Sequence, residues 1–561
     1  MTLGRQEGTP DAGPGLLCSV NAKYEQNRIL QENSKIPMLI AANTEAGGNG
    51  ACTDGTYVGW EIKVAASGDD EKYAYELGRI SGVEASAIGC NWSFAPIVDL
   101  YRNWRNPIVS VRTWSADPDQ TIKLAKAYMK GIMESNIMPA AKHWPGDGID
   151  ERDQHLSSAP NWYDTKHWDE TFGKVYKALI DEGLPSIMAG HIGLPSYQKE
   201  LDPDSNEFTP ATLSHALTTT LLREKLGFNG VVVTDASRMV GMTGFAKRRD
   251  ILPMAINAGC DLFLFFNDPD EDFNWMMEAY NNGVLGDERL EEALTRTLGL
   301  KARIGLHKLE KTKILPPKDE AMARIKLPEN VRISEELSDA AVTLVKDQDE
   351  GVLPISPEKF KRIGIIPISG PKNPMAHGKG PKGVEVFADV MRERGYDVEL
   401  YESLTDKSER MTTEEFAGVV KGAYAGKAPI SAITDKYDMV ISVAQVNGLM
   451  QPTERVYWPA SKGTLVRPRA SDGVRVAGLP VPPGRRPAGE DVRQRLRRLR
   501  AHCARGRRQA GGQVGVQGQA VHRRVLRPAR HPHVTDPDGR RGPHPDRVRP
   551  AAVSGSVGGR R

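Results

Sequence analysis

Six short apolar runs alternating with stretches of helical periodicity constrain this chain more than any other feature. The runs cover 37–42, 91–98, 137–141, 184–188, 230–234 and 260–266, and helical patterns cover 71–87, 118–135, 164–182 and 211–226. Apolar strands that recur every ~30–55 residues with helices between them are the mark of parallel βα units. Asp117 followed by Pro118 gives the second helix an N-cap and a proline at its first position. Spread over about 300 residues, the pattern predicts an α/β fold, either a doubly wound sheet or a (β/α)8 TIM-type barrel.

The strand ends decide for the barrel, assigned to residues 1–307. The first run ends at Asn43 and Glu45 and the second at Asp99. Lys142 with His143, then His191, then Asp235 follow at later ends. In a barrel all C-terminal strand ends converge on one face, where active sites are built. Polar residues begin many loops, which accounts for one or two such ends but not for a run of five.

Two segments carry chemistry-bearing side chains. In AKHWPGDGIDERDQHL (141–156), Asp153 and His155 lie two apart, so in an extended loop both point the same way. The carboxylate can then hold the imidazole in one tautomer and support its protonated form. His143, His155 and Asp147 together allow a metal reading, but the spacing matches no standard ligand pattern, and no metal is expected. In GFNGVVVTDASRMVGM (227–242), Asp235 directly follows a buried strand. That is a catalytic position in a barrel and equally the position of a helix N-cap.

Beyond the barrel, a Lys- and Pro-rich stretch predicts a linker over 308–335. Residues 333–345 then read as a helix running into a strand, with further strands at 362–368 and 437–443. They predict a second α/β domain over 336–464 that stops before its sheet is complete. A glycine-rich loop at 370–383, with Lys379, matches neither the dinucleotide nor the P-loop pattern and reads as a surface loop.

The composition breaks at residue 465. The 97 residues that follow hold 23 Arg, no Lys and six acids, and no Phe, Tyr, Trp, Ile, Met or Asn. Their net charge of +17 balances −14 on residues 1–464, which is how the whole chain reaches only +3. Arg-rich segments do bind nucleic acid, but such arms mix in Lys and aromatic residues. The abrupt switch reads instead as out-of-frame translation beginning near 463–467. A segment without large apolar side chains cannot offset its chain entropy, so 465–561 is expected to be disordered and no nucleic-acid partner is assigned. Residues 4–15, rich in Gly and Pro, read as a similar, shorter anomaly. No run approaches ~18 apolar residues, which rules out a spanning helix, and no membrane partner is expected. No secretory signal is visible at the N-terminus, so a cytoplasmic location is expected. Cys18, Cys52, Cys90, Cys260 and Cys503 lack the paired spacing of a disulfide framework or zinc ribbon.

Taken together, these segments resemble glycoside hydrolase family 3, in particular its β-N-acetylglucosaminidase branch. The likeness rests on KHWPG (142–146) followed by DQH (153–155), and on the strand ending in Thr234-Asp235. NWSFAPIVDL (91–100), NPIVSVRTWSADP (106–118), SIMAGHI (186–192) and AINAGCDLFL (255–264) extend it through the barrel. AAVTLVKDQDEGVLPI (340–355) resembles the start of that family's α/β sandwich domain. The resemblance implies a retaining glycosidase without a cofactor, acting on a small saccharide. It implies Asp235 as nucleophile and His155, assisted by Asp153, as acid/base. Lys142, His143, Arg112 and Glu45 are implied as sugar-binding residues, and Asn43 stands where the family has Asp. A β-glucosidase or dual-specificity enzyme is the alternative within the fold, and a non-catalytic sugar-binding protein the alternative outside it. Inorganic phosphate is weighed as an acceptor that competes with water.

Overall fold

Two parallel sheets organise the chain in a computed structural model that describes residues 18–347, 352–369, 383–401, 411–424, 434–445 and 475–477. The anomalous segment 4–15, the glycine-rich loop around Lys379 and nearly all of the Arg-rich tail lie outside the described residues.

The first sheet runs in strict sequence order: β1 (Ala41–Ala42), β2 (Trp92–Ser93), β3 (Met138–Trp144), β4 (Ser186–Ala189), β5 (Val231–Ala236) and β6 (Leu262–Leu264). Every neighbouring pair is parallel, as the βα spacing requires. The strands form a half-barrel that curls around one apolar interior. Ala41, Trp92, Met138, Ala140, Met188, Val231 and Val233 meet there, with Leu262 and Leu264 packed against them.

The expected eight strands are six among the described residues. After β6 the chain forms two helices, Pro269–Asn281 and Asp287–Arg303, with no apolar run between them to supply another strand. Leu300, Ile304 and Leu306 fill the interior instead. A cavity of about 210 Å3 remains beside Leu39, Ala41 and Leu264.

Helices cover the outer face. Asp117 caps Pro118–Met133 through a bond from the Asp119 amide. This helix crosses Asp70–Ala87 closely enough that only glycine fits at two contacts. A Cβ on Gly78 would lie 2.2 Å from the Tyr128 carbonyl, and one on Gly131 would lie 2.2 Å from that of Tyr75.

The polar stretch after the half-barrel is tied down, not free chain. Tyr24 donates to the Pro316 carbonyl (2.7 Å), and Leu315, Ala321, Ile333 and Leu337 join the core around α-helix Asp70–Ala87. Their few apolar positions are spread among Lys and Pro, which hides the buried face in the composition. Glu84, fully buried, accepts from the Lys326 amide and from Asn330 Nδ2 and fixes the last turn of this wrap.

The second sheet has the order β10-β9-β7-β8, from β7 (Arg362–Ser369), β8 (Asp397–Leu400), β9 (Met439–Gln445) and β10 (Arg475–Ala477). All its pairs are parallel. Its core gathers Phe360, Ile363, Ile365, Val398 and Met439 under Val384, Ala388 and Met391 of helix Gly383–Glu393. The helix Pro328–Ala341 forms, but the strand expected after it does not: Val342, Leu344 and Val345 are exposed and in no sheet. Three residues of the Arg-rich segment do enter the fold, since β10 pairs with Met439–Ile441.

Candidate active site

Two irregularities in the half-barrel aim its side chains. Between Lys142↔Met188 and Trp144↔Ala189, β3 advances two residues while β4 advances one. The extra residue is His143. Between Val233↔Leu262 and Ala236↔Leu264, β5 advances three residues and β6 two, which places a bulge at Thr234–Asp235. A bulge breaks strict alternation and re-aims a side chain. Lys142 and His143, adjacent along the chain, can thereby both serve the same end of the sheet.

Asp235 and His143 face each other there, with Nε2 of His143 3.8 Å from Oδ2 of Asp235. His143 Nδ1 lies 2.7 Å from Asp99 Oδ2, and Asp99 Oδ1 accepts from the amides of His143 and Asp147. A carboxylate only accepts, so Nδ1 carries a proton and the ring is held with Nε2 toward Asp235. His191 Nε2 donates to the Ala236 carbonyl (3.0 Å), and its Nδ1 is 2.9 Å from Thr212 Oγ1. Burial holds His191 below the usual histidine range, against the pull of Asp235. Burial alone would raise the carboxyl of Asp235. The His143, His191 and His155 rings and the Ala236 amide outweigh it and hold Asp235 below the usual aspartate value.

Asp153 and His155 form the expected dyad. Asp153 Oδ1 accepts from the His155 amide (2.8 Å) and lies 2.7 Å from its Nδ1. Nε2 therefore remains for a substrate. Burial would lower His155, but the Asp153 bond and the charges of Asp235 and Asp153 raise it above the usual value. The loop is pinned to the chain after β5 by Val240 N–H to the His155 carbonyl (3.0 Å) and Gly241 N–H to that of Gln154 (2.9 Å). Gln154 Oε1 also accepts from the His191 amide.

Glu45, Arg112 and Lys142 form a buried ionic cluster. Arg112 grips Glu45 with Nε and Nη2, both at 2.9 Å, and Lys142 Nζ donates to Glu45 and, at 3.3 Å, to Asn43 Oδ1. Burial opposes the charge on Glu45, but the two cations dominate and hold its carboxyl far below the usual range.

The structure thus brings Asp235, His143, Asp153 and His155 together, and gathers Glu45, Arg112, Lys142 and Asn43 in one cluster. Asp147 does not point at His155. Its Oδ1 accepts from Asn106 Nδ2 (2.7 Å) and the Gly148 amide (2.6 Å), and burial beside Asp99 pushes it up to about 7. Asp99 and His191 are legible as strand ends, though not as supports of His143 and Ala236. Glu61 leaves no signal in the sequence. It is 1% exposed with Oε2 unpaired, and burial followed by the charge of Glu45 pushes it up to about 8.

Comparison with known proteins places this geometry in context. The model of the glycosyl hydrolase family 3 N-terminal domain matches residues 18–300. A β-N-acetylglucosaminidase/β-glucosidase of Cellulomonas fimi is 35% identical over 78% of this chain and 74% of its own length. β-Hexosaminidase A of Pseudoalteromonas piscicida is 28% identical over 59% of this chain and 56% of its own. Among solved structures, the β-glucoside phosphorylase BglX superposes with a TM-score of 0.72 at 34% identity, covering 84% of this chain and 81% of that one.

Proposed function

We propose that this chain, which belongs to glycoside hydrolase family 3, removes terminal β-linked N-acetylglucosamine with retention through a covalent glycosyl-aspartate. The half-barrel is read as the family's TIM-type catalytic module, and the four-stranded sheet as part of an α/β sandwich domain.

The observation that carries this reading is the opposite placement of two titrations. Asp235 is held below the usual aspartate value and His155 above the usual histidine value, which favours the anion of the first and the protonated form of the second. Retaining cleavage requires that pair of states. Asp235 attacks the anomeric carbon while His155 Nε2–H protonates the departing oxygen, and a glycosyl ester forms as the glycosidic bond breaks. His155, now neutral, takes a proton from water as the water oxygen attacks the same carbon and releases Asp235. Asp153 stabilises the imidazolium and fixes its tautomer. His143, Lys142, Arg112, Glu45 and Asn43 hold sugar hydroxyls. The name of the Cellulomonas fimi relative supports N-acetylglucosaminides first and glucosides as the alternative.

Phosphate as acceptor is a second reading with its own support. A carboxylate acid/base would be anionic when the acceptor arrives. At ~4 Å, two unit charges repel by about 4 kcal/mol at an effective dielectric of 20. A histidine in that role is neutral at that stage. The phosphorylase relative points the same way. Arg152 lies on the loop, but Asp150 already engages its Nε and Nη2 at 2.8 and 2.7 Å, so it supplies no free cation.

The test is turnover of nitrophenyl N-acetyl-β-glucosaminide and nitrophenyl β-glucoside, with and without phosphate. Cleavage of the first with release of free sugar supports hydrolysis, and a sugar 1-phosphate with a phosphate-dependent rate supports the second reading. Failure to cleave either substrate overturns both.

A further inference from the structure

The acid/base dyad rides on a stretch with no regular structure of its own. Residues 145–164 form neither helix nor strand, and Asp153 and His155 lie in the middle of them. Cleavage that joins attack by one group to proton donation by another needs both held in register. A misplacement of about 1 Å costs on the order of a hundredfold in rate. Contacts outside the loop must therefore fix it.

Gln154, between the two dyad residues, makes those contacts. It is fully buried. Its carbonyl accepts from the Gly241 amide (2.9 Å), on the chain that follows Asp235. Its side-chain Oε1 accepts from the His191 amide (2.7 Å), just past β4. His191 carries the connection further. Its Nε2 donates to the Ala236 carbonyl (3.0 Å), and the Ala236 amide donates to Asp235 Oδ1 (2.7 Å). Gln154 thus joins the acid/base loop to the nucleophile strand by two routes, one through its backbone and one through its side chain.

The three residues meet without spare room. A Cβ on Gly241 would lie 2.8 Å from the Gln154 carbonyl oxygen and 2.9 Å from His191 Cβ. Packing alone does not account for an amide at this point. Nε2 of Gln154 is buried without a hydrogen-bond partner among the described residues, and an unpaired buried donor costs about 1–3 kcal/mol. An apolar side chain of equal length would fill the space without that cost. What the amide supplies is one acceptor aimed at one backbone N–H.

We propose that Gln154, seated against Gly241 and His191, is a positioning residue that sets the separation of His155 from Asp235. Being fully buried, it acts through His155 and not on the sugar. The proposal rests on the glycosidase reading above and adds to it the residue that holds the two reacting groups in register.

The experiment reads kcat/KM, which reports formation of the glycosyl-enzyme, for two substrates. The leaving group of 2,4-dinitrophenyl N-acetyl-β-glucosaminide departs as a stable anion, whereas that of the phenyl glycoside needs the proton. Gln154→Met keeps the length and removes the acceptor. The phenyl-to-dinitrophenyl ratio is expected to fall by about tenfold or more, because a misplaced acid penalises only the substrate that needs it. Gln154→Glu keeps an oxygen toward the His191 amide and recovers most of the ratio. Gly241→Ala, made on the other side of the same contact, lowers the ratio in the same direction. An unchanged ratio in Gln154→Met or in Gly241→Ala overturns the positioning role and leaves the glycosidase reading intact. Equal losses on both substrates, or a ratio in Gln154→Glu as low as in Gln154→Met, do the same. A wild-type enzyme that cleaves neither substrate overturns the glycosidase reading and the positioning role with it.

Discussion

Nε2 of His143 stands 3.8 Å from Oδ2 of Asp235, and the bulge in β3 is what brings it there. Among the neighbours that keep Asp235 ionised, His143 has the largest effect. An attacking carboxylate must be ionised, so the acidic limb of kcat/KM follows its pKa. His143→Gln removes the principal opponent of burial. The acidic limb is expected to move to higher pH, with the alkaline limb little changed. A pH profile from about pH 4 to 9 measures this, and an unmoved acidic limb would separate His143 from the nucleophile.

The alkaline limb belongs to His155. A general acid works while protonated, below its pKa, and fails as pH rises through it. The hydrogen bond to Asp153 is the largest of the effects that lift His155 against burial. Asp153→Asn keeps the shape and removes the charge. The alkaline limb is expected to shift to lower pH, with a greater loss on substrates that have poor leaving groups than on nitrophenyl glycosides. Equal losses on both would argue against proton donation.

Glu45 and Arg112 are a buried pair whose partners cannot be removed singly without cost. Arg112→Met leaves Glu45 buried with Lys142 alone, and is expected to lower stability by about 3–5 kcal/mol, read from denaturant unfolding. Adding Glu45→Gln should recover a large part of that loss, because the uncompensated charge is gone. Arg112→Lys should not restore the wild type, since the bidentate grip at 2.9 Å needs the guanidinium fork. Additive losses in the double variant would contradict the pairing.

Glu61 predicts a stability profile. Its folded-state pKa of about 8 lies above the ordinary glutamate value of 4.5. Across that interval the folded protein holds a proton that the unfolded chain has released. The contribution is therefore fully present below about pH 4.5 and is lost as pH rises through about 8. Glu61→Gln stays neutral throughout, so its melting temperature should fall less than that of the wild type between about pH 6 and 9. Parallel profiles would show that Glu61 is not protonated in the fold.

Much of this was legible because apolar runs and polar strand ends are local signals. The six runs match the six strands of the first sheet, and Asp99, His143, His191 and Asp235 all lie at their ends. The bulges at His143 and Thr234–Asp235 were not legible, because each depends on the offset between two strands far apart in sequence. Eight strands were expected because polar residues at successive strand ends, over about 300 residues of βα pattern, suit a full barrel. Among the described residues two helices follow β6 instead of further strands, and Leu300, Ile304 and Leu306 fill the interior. Glu61 is not legible in the sequence, because nothing within the short helix Glu61–Ala65 marks it as buried.

The central claim is the covalent bond to Asp235, and trapping it is the most direct measurement. The enzyme is incubated with 5-fluoro-N-acetylglucosaminyl fluoride, whose ring fluorine slows release of the glycosyl ester. Intact-mass and peptide mass spectrometry then locate the label. One added sugar per chain, on the peptide carrying Asp235 and absent in Asp235→Ala, is the predicted result. Turnover without any adduct, or an adduct on another carboxylate, would contradict the account.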